Sequence, residues 1–288
     1  MVGVLSLTIF RKGFPMLIDN TPVIVYPVGS PARPVWVKRE DLCSPYPGPQ
    51  FSKIRGVLAH LRNRPEQYIG VLDTKHSKAG WAVSYVCRAL GKTAVNYWPR
   101  YVAEKVGALR TAQQQAAQLG AQMVELKAGR SAILYHHARK HLQYNYPNSY
   151  LMPNALKLPE SVTENAAEAV RTRPGLPDIK TVVISISSGT VAAGVMKGLG
   201  SDYHYILHMG YDRSEDAARQ YMERVSDLDL LYYKHEFVNE KYSYADAAPK
   251  GAYAPFPCNA FYDLKAWAWL NDNIEALKQP VLFWNVGA

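Results

Sequence analysis

Short β-rich apolar runs alternate with longer stretches of helical spacing along most of the chain. The first runs are VIVY at 23–26 and VWVK at 35–38, each compact enough for a buried or half-buried strand. A helical stretch follows residue 53 to about 62, then a strand at 69–73, a helix at 79–90, a strand at 93–98, a helix at 102–119, a strand at 121–126 and a helix at 130–142. A second series runs through a strand at 149–153, a helix at 159–171, the strand TVVISI at 181–186 with a helix opening at once behind it, a strand at 204–210 and a helix at 214–224. It closes with a strand at 228–233, a helix at 263–277 and a strand at 281–284, and 234–262 reads as loop because tyrosines and prolines crowd it. Strands joined by helices of this length need crossover connections, so the pattern predicts an α/β fold with mostly parallel sheets.

Composition narrows the picture. Nearly half of the 288 residues are apolar, enough for a sizeable core. No run of about 18 uncharged apolar residues occurs. The opening MVGVLSLTIFRKGF places its basic residues after its apolar ones, so it reads as a strand beginning near Val4 in a soluble, unexported chain. Three cysteines, Cys43, Cys87 and Cys258, lack CxxC spacing and suggest neither a disulfide framework nor a zinc knuckle, which fits a cytoplasmic protein. The net charge of +9 leaves room for an anionic partner, nucleic acid included, although basic clusters such as KHSK and HHARKH also fit solvated helix faces.

The strongest local signal is VVISISSGTVAAGV at 182–195, in which small residues follow a buried strand and open a helix. The unpaired amides of a helix's first turn and its positive dipole end favour a phosphate, and Gly189 permits close approach. The spacing is neither GxGxxG nor that of a P-loop.

Four segments, TPVIVYP (21–27), VWVKREDL (35–42), PQFSKIRG (49–56) and SSGTVAAG (187–194), occur in an order that resembles fold-type II pyridoxal-phosphate enzymes, the tryptophan-synthase-β-like superfamily. FSKIRG looks like the cofactor-lysine motif of threonine dehydratases and their relatives. FYDLKAW (261–267) and VLFWNVGA (281–288) are similar to the close of the aminocyclopropane-carboxylate deaminase and D-cysteine desulfhydrase branch. The resemblance implies two open, mostly parallel twisted sheets with helices on both faces, the cofactor lying between a larger domain (1–52 and 150–288) and a smaller one (53–149), and a homodimer. It implies that Lys53 forms a Schiff base with pyridoxal 5'-phosphate and then serves as a base. It makes Ser187, Ser188, Gly189, Thr190 and Val191 the phosphate cup.

Departures from the family pattern cluster around the ring and carboxylate contacts. Where relatives carry SGNTG or SNQT, this chain has Thr74, Lys75, His76, Ser77, Lys78, Ala79 and Gly80. Ser77 fits a carboxylate donor or proton relay, whereas Lys78 replaces an asparagine that touches the cofactor. Near the C terminus Asn285 and Val286 stand where the deaminase branch has a hydroxyl beside the pyridine nitrogen; Asn285 is the residue able to bond it. Tyr262, within a group that includes Tyr242, Tyr244 and Tyr253, is the candidate acid. His137 and His141 lie one helical turn apart without a third ligand, so no metal site is expected.

Three functions remain open at this point. The first is a pyridoxal-phosphate lyase or deaminase on a small amino acid. The second is a pyridoxal-phosphate enzyme acting on an amino-acid adduct of a DNA base, as in virus DNA hypermodification, by decarboxylation or Cα cleavage, which the net charge and Lys75/Lys78 motivate. The third is a non-catalytic ligand-binding descendant of the fold.

Overall fold

The computed structural model describes residues 17–100 and 107–288. In chain order its first half comprises β1 (Val23–Val28), β2 (Arg33–Arg39), α1 (Ile54–Leu61), β3 (Tyr68–Leu72), α2 (Ala79–Leu90), β4 (Thr93–Arg100), α3 (Thr111–Gln118), β5 (Gln122–Lys127), α4 (Ser131–Asn145) and β6 (Ser149–Leu151). The second comprises α5 (Pro159–Thr172), β7 (Thr181–Ile186), α6 (Thr190–Leu199), β8 (His204–Met209), α7 (Glu215–Ser226), β9 (Lys234–Val238), α8 (Asp263–Asn273) and β10 (Val281–Asn285). Six strands form one sheet in the order β1-β2-β10-β7-β8-β9, and four form another in the order β5-β4-β3-β6. Of these strands only β1 and β2 pair antiparallel; the other strand pairs are parallel, as crossover helices require.

Strand β7 is buried over its whole length because helices cover both faces of the larger sheet. Val182, Ile184 and Ile186 pack toward α6 with Val195 and Met196, while Val183 packs the other way with Phe283 and Trp267. Each such side chain contributes about 1.5–3 kcal/mol of hydrophobic stabilisation. Helices α5 and α6 approach closely because Gly198 has no side chain: a Cβ there would lie 2.2 Å from the Ala166 carbonyl.

A buried ionic network ties β2 to α1 and α5. Lys38 meets Glu168 at 2.7 Å, Arg55 meets Glu40 at 2.9 Å, and Arg39 grips Asp41 through both Nε and Nη2. Burial alone raises a carboxyl pKa, but the Lys38 hydrogen bond and the Arg55 and Lys38 charges override it and hold Glu168 at about 2. This network fixes α1, and Lys53 is the residue that immediately precedes it.

Four expectations need adjustment. The stretch 228–233 is not a strand: Asp229 accepts a hydrogen bond from Leu231 N–H and starts a single 3-10 turn, Leu230–Tyr232, leaving the Leu231 side chain 83 % exposed. The edge strand is instead KHEFV (β9), inside the segment read as loop. The expected helix at 102–119 is observed as α3 from Thr111, with Gly107 at φ +72° ahead of it, and 101–106 lie outside the described residues. The strand expected from Val4 also lies outside them. Finally, β6 pairs with β3, Ser149 opposite Tyr68, so the smaller sheet extends beyond residue 149 and a division there cuts one of its strands.

Candidate active site

Between the two sheets lies a cavity of about 470 Å³, within the range of roughly 300–1,000 Å³ common for cofactor and substrate sites. The turn from β7 into α6 forms one wall. Gly189 adopts φ +91°, and a Cβ there would sit 2.5 Å from Met222 Cγ, so both backbone and space require glycine. Ser188 Oγ and Thr190 Oγ1 lie 2.9 Å apart, and Thr190 Oγ1 is 2.9 Å from the Tyr221 hydroxyl. Arg213 donates to the Ser187 carbonyl and braces the turn from behind. The first-turn amides of α6 thus face a cradle built for an anion. Ser187, Ser188, Gly189, Thr190 and Val191 all line it.

Lys53 projects into the same cavity from the start of α1. Its Nζ donates to Ala155 O at 3.3 Å and to Ser188 Oγ at 3.5 Å, with no carboxylate within ion-pair distance among the described residues. Burial, then the nearby Lys157 charge, lowers its pKa to about 8. A useful fraction of the amine is therefore neutral, and nucleophilic, near neutral pH. Its carbonyl partner stands on strained backbone, since Ala155 and Leu156 have φ of +60° and +50°.

The chain's last segment underpins the lysine. Ser52 N–H donates to Val286 O at 3.0 Å, and Gly287 bridges Phe51 so closely that a Cβ would lie 2.4 Å from Gln50 O. Asn285 does not reach the cavity: it lies on the Phe283 face of β10, and its amide donates to Asp41 Oδ1 (2.9 Å) and Pro257 O (3.0 Å). The expectation that it meets the cofactor ring is corrected on that ground. Asp263 does line the cavity, buried at the start of α8 and accepting a hydrogen bond from Val286 N–H at 2.9 Å. Burial pushes its carboxyl up to about 7, against the Val286 hydrogen bond and the Lys78 charge. Sequence reading passed over Asp263 although it directly follows Tyr262 in FYDLKAW.

The β3–α2 loop forms the opposite wall. Buried Asp73 accepts from Gly80 N–H (3.1 Å) and Asn96 Nδ2 (3.2 Å), and burial raises its carboxyl to about 6. No Cβ fits at Gly80, whose ideal Cβ would meet Asn96 Nδ2 at 2.0 Å. So stitched, the loop presents Ser77, whose Oγ accepts from Ala79 N–H at 2.9 Å, and Lys78, whose ammonium lies 5.9 Å from the Trp81 ring centroid. Burial lowers the Lys78 pKa and the Asp263 charge opposes that shift. Tyr262 also lines the cavity; burial, then Tyr244, raises its pKa, so its hydroxyl keeps its proton. His141 is engaged by the Tyr97 hydroxyl at 3.1 Å, and the described residues contain no group of three metal-ligating side chains.

A buried amine without an acidic partner, an anion cradle that glycine keeps open beside it, and a carboxyl across the cavity together match a phosphate-bearing aldehyde with a basic ring. The two mostly parallel sheets that carry this site are those of the fold-type II pyridoxal-phosphate enzymes. A family model described as "Pyridoxal-phosphate dependent enzyme" matches residues 15–224, and the chain belongs to that family. It is 62 % identical over 281 residues to a "Glycyl-dTMP PLP-dependent decarboxylase" of Pseudomonas phage M6, covering 94 % of this chain and 100 % of the relative. Among solved structures, an aminocyclopropane-carboxylate (ACC) deaminase homologue aligns with TM-score 0.73 at 17 % identity, over 95 % of this chain and 92 % of its own. An O-acetylserine-dependent cystathionine β-synthase from Helicobacter pylori aligns with TM-score 0.65 at 16 % identity, over 93 % and 92 %. These two likenesses show the fold, and the cofactor is pyridoxal 5'-phosphate.

Proposed function

We propose that this chain is a pyridoxal-phosphate-dependent decarboxylase acting on an amino-acid adduct of a thymidine nucleotide. The 62 % identity to the phage protein of that description carries the reading. The cavity is compatible with it: with Lys53, Lys78 and the anion cradle given to the cofactor, Ser77 remains in the lining for the substrate carboxylate. The intact Lys53 site speaks against a non-catalytic descendant. Likeness of fold to a deaminase homologue at 17 % identity gives no reason to prefer deamination or elimination on a free amino acid.

In this reading Lys53 holds the cofactor covalently, and Ser187 to Val191 bind its phosphate. The cofactor, when bound, supplies a ring that accepts the electron pair released as a bond at the substrate's Cα breaks. Asp263, the buried carboxyl of the cavity wall, would favour a protonated cofactor ring. Lys78 would offer the cofactor a charge-assisted contact where relatives offer a neutral amide. Ser77 binds the substrate carboxylate or relays a proton. Lys53, once free, or the Tyr262 hydroxyl returns a proton to Cα. The assembly we infer is a cytoplasmic homodimer, and its substrate can be carried on DNA.

The test is release of labelled carbon dioxide from glycyl-dTMP labelled in its carboxyl group. Wild-type enzyme is expected to release it and Lys53→Ala to lose both that activity and the visible absorption band of the bound cofactor. Ammonia release with the carboxyl retained contradicts the reading.

A further inference from the structure

Beside Tyr262 the cavity carries further aromatic side chains that no step of the proposed reaction uses. Tyr211 and Tyr244 both line the cavity and meet edge to face, centroids 5.4 Å apart at 83°. His76 lies flat on Phe261, centroids 3.7 Å apart at 26°, and meets Tyr244 at 5.7 Å. Tyr244 is 41 % exposed although it belongs to the cavity lining. Its hydroxyl is 3.0 Å from Thr74 Oγ1 on the β3–α2 loop, which sets the ring's orientation. A partly exposed aromatic ring of fixed orientation, touched by Tyr211 edge to face and by His76 at a tilt and stacked on by neither, is a surface on which planar heterocycles stack.

We infer that Tyr244, flanked by Tyr211 and His76, is the stacking site for the pyrimidine base of the substrate, holding the nucleoside there while its amino-acid substituent reaches Lys53. This rests on the reading of the substrate as a nucleotide adduct and adds where the base is bound. A small free amino acid has no planar group to occupy these rings. Burial, then the charges of Lys75, Arg110 and Lys265, depresses the His76 pKa, so the imidazole is neutral and suits an uncharged base.

The experiment measures binding of dTMP and of a short oligothymidylate to the holoenzyme, with Tyr244→Leu, Tyr244→Phe and Tyr211→Leu variants. Each variant is first checked for an unchanged cofactor absorption band. Stacking on an aromatic side chain is worth enough that its removal weakens binding about tenfold or more. Tyr244→Leu is therefore expected to lose about tenfold in dTMP affinity, Tyr211→Leu less, and Tyr244→Phe to stay within about twofold, since it keeps the ring. The spectral response of the holoenzyme to glycine should be unchanged in all three. Unaltered dTMP affinity in Tyr244→Leu, in an enzyme that still turns over glycyl-dTMP, overturns the stacking site alone. A wild-type enzyme that neither binds dTMP nor acts on glycyl-dTMP overturns the substrate reading, and the stacking site with it. The two ligands distinguish the base's source: tighter, steeply salt-dependent binding of the oligomer marks the polymer, and equal affinities mark the mononucleotide.

Discussion

Lys53 reacts as an amine, and its surroundings set when. With its pKa lowered to about 8 by burial and by Lys157, the neutral nucleophile grows as pH rises through that value, not through the 10.5 of a solvated lysine. The rate of cofactor capture by the apo-protein, followed by absorbance, should rise between about pH 7 and 9 and level off; a rise continuing above pH 10 contradicts this environment. Gly189 makes a second prediction. Its φ of +91° and the contact with Met222 mean that Gly189→Ala strains the cradle, at about 1–3 kcal/mol. Titration with cofactor should show affinity reduced about fivefold or more, the equivalent of that strain. Both residues were legible in the sequence because their signals are local, a lysine in FSKIRG and a glycine opening a helix. The placement of Asn285 and Asp263 was not: alternation along VLFWN puts Asn285 on the Phe283 face, but only the tertiary structure shows that this face meets Asp41 while Asp263 lines the cavity.

At the scale of elements, α1 is held by charge as well as by apolar packing. Lys38 and Glu168 are both fully buried and paired at 2.7 Å, so Glu168→Gln leaves a buried ammonium without its counter-charge. Such a loss costs about 3–5 kcal/mol, and denaturant unfolding should register it at pH 7. Because the Glu168 pKa is depressed from the ordinary carboxylate range to about 2, its contribution is complete above about pH 4.5 and fades as pH falls toward 2. The stability gap between wild type and variant should therefore narrow in acid. The sequence displayed VKREDL without displaying its partners, which come from α1 and α5. Continuous buried strands such as TVVISI were easy to read, whereas KHEFV, an edge strand with lysine, histidine and glutamate among its five residues, carried the composition of a loop.

For the molecule as a whole, burial does not reduce the net charge of +9 that a partner meets: among the described residues Lys38, Arg39, Arg55 and Lys265 are buried, but so are Glu40, Asp41, Asp73, Glu168 and Asp263. The resemblance carried by four ordered segments implied two mostly parallel sheets with a cofactor between them. The aromatic cluster was hidden because His76, Tyr211 and Tyr244 come from segments far apart in the chain and meet only when the sheets face each other. The most direct test of the central claim is to run the wild-type reaction on glycyl-dTMP in deuterium oxide and analyse the product by mass spectrometry. Decarboxylation predicts a nucleotide lighter by one carbon dioxide, with its amine retained and one non-exchangeable deuterium at the former Cα. A product that keeps its carboxylate, or that has lost its nitrogen, contradicts it.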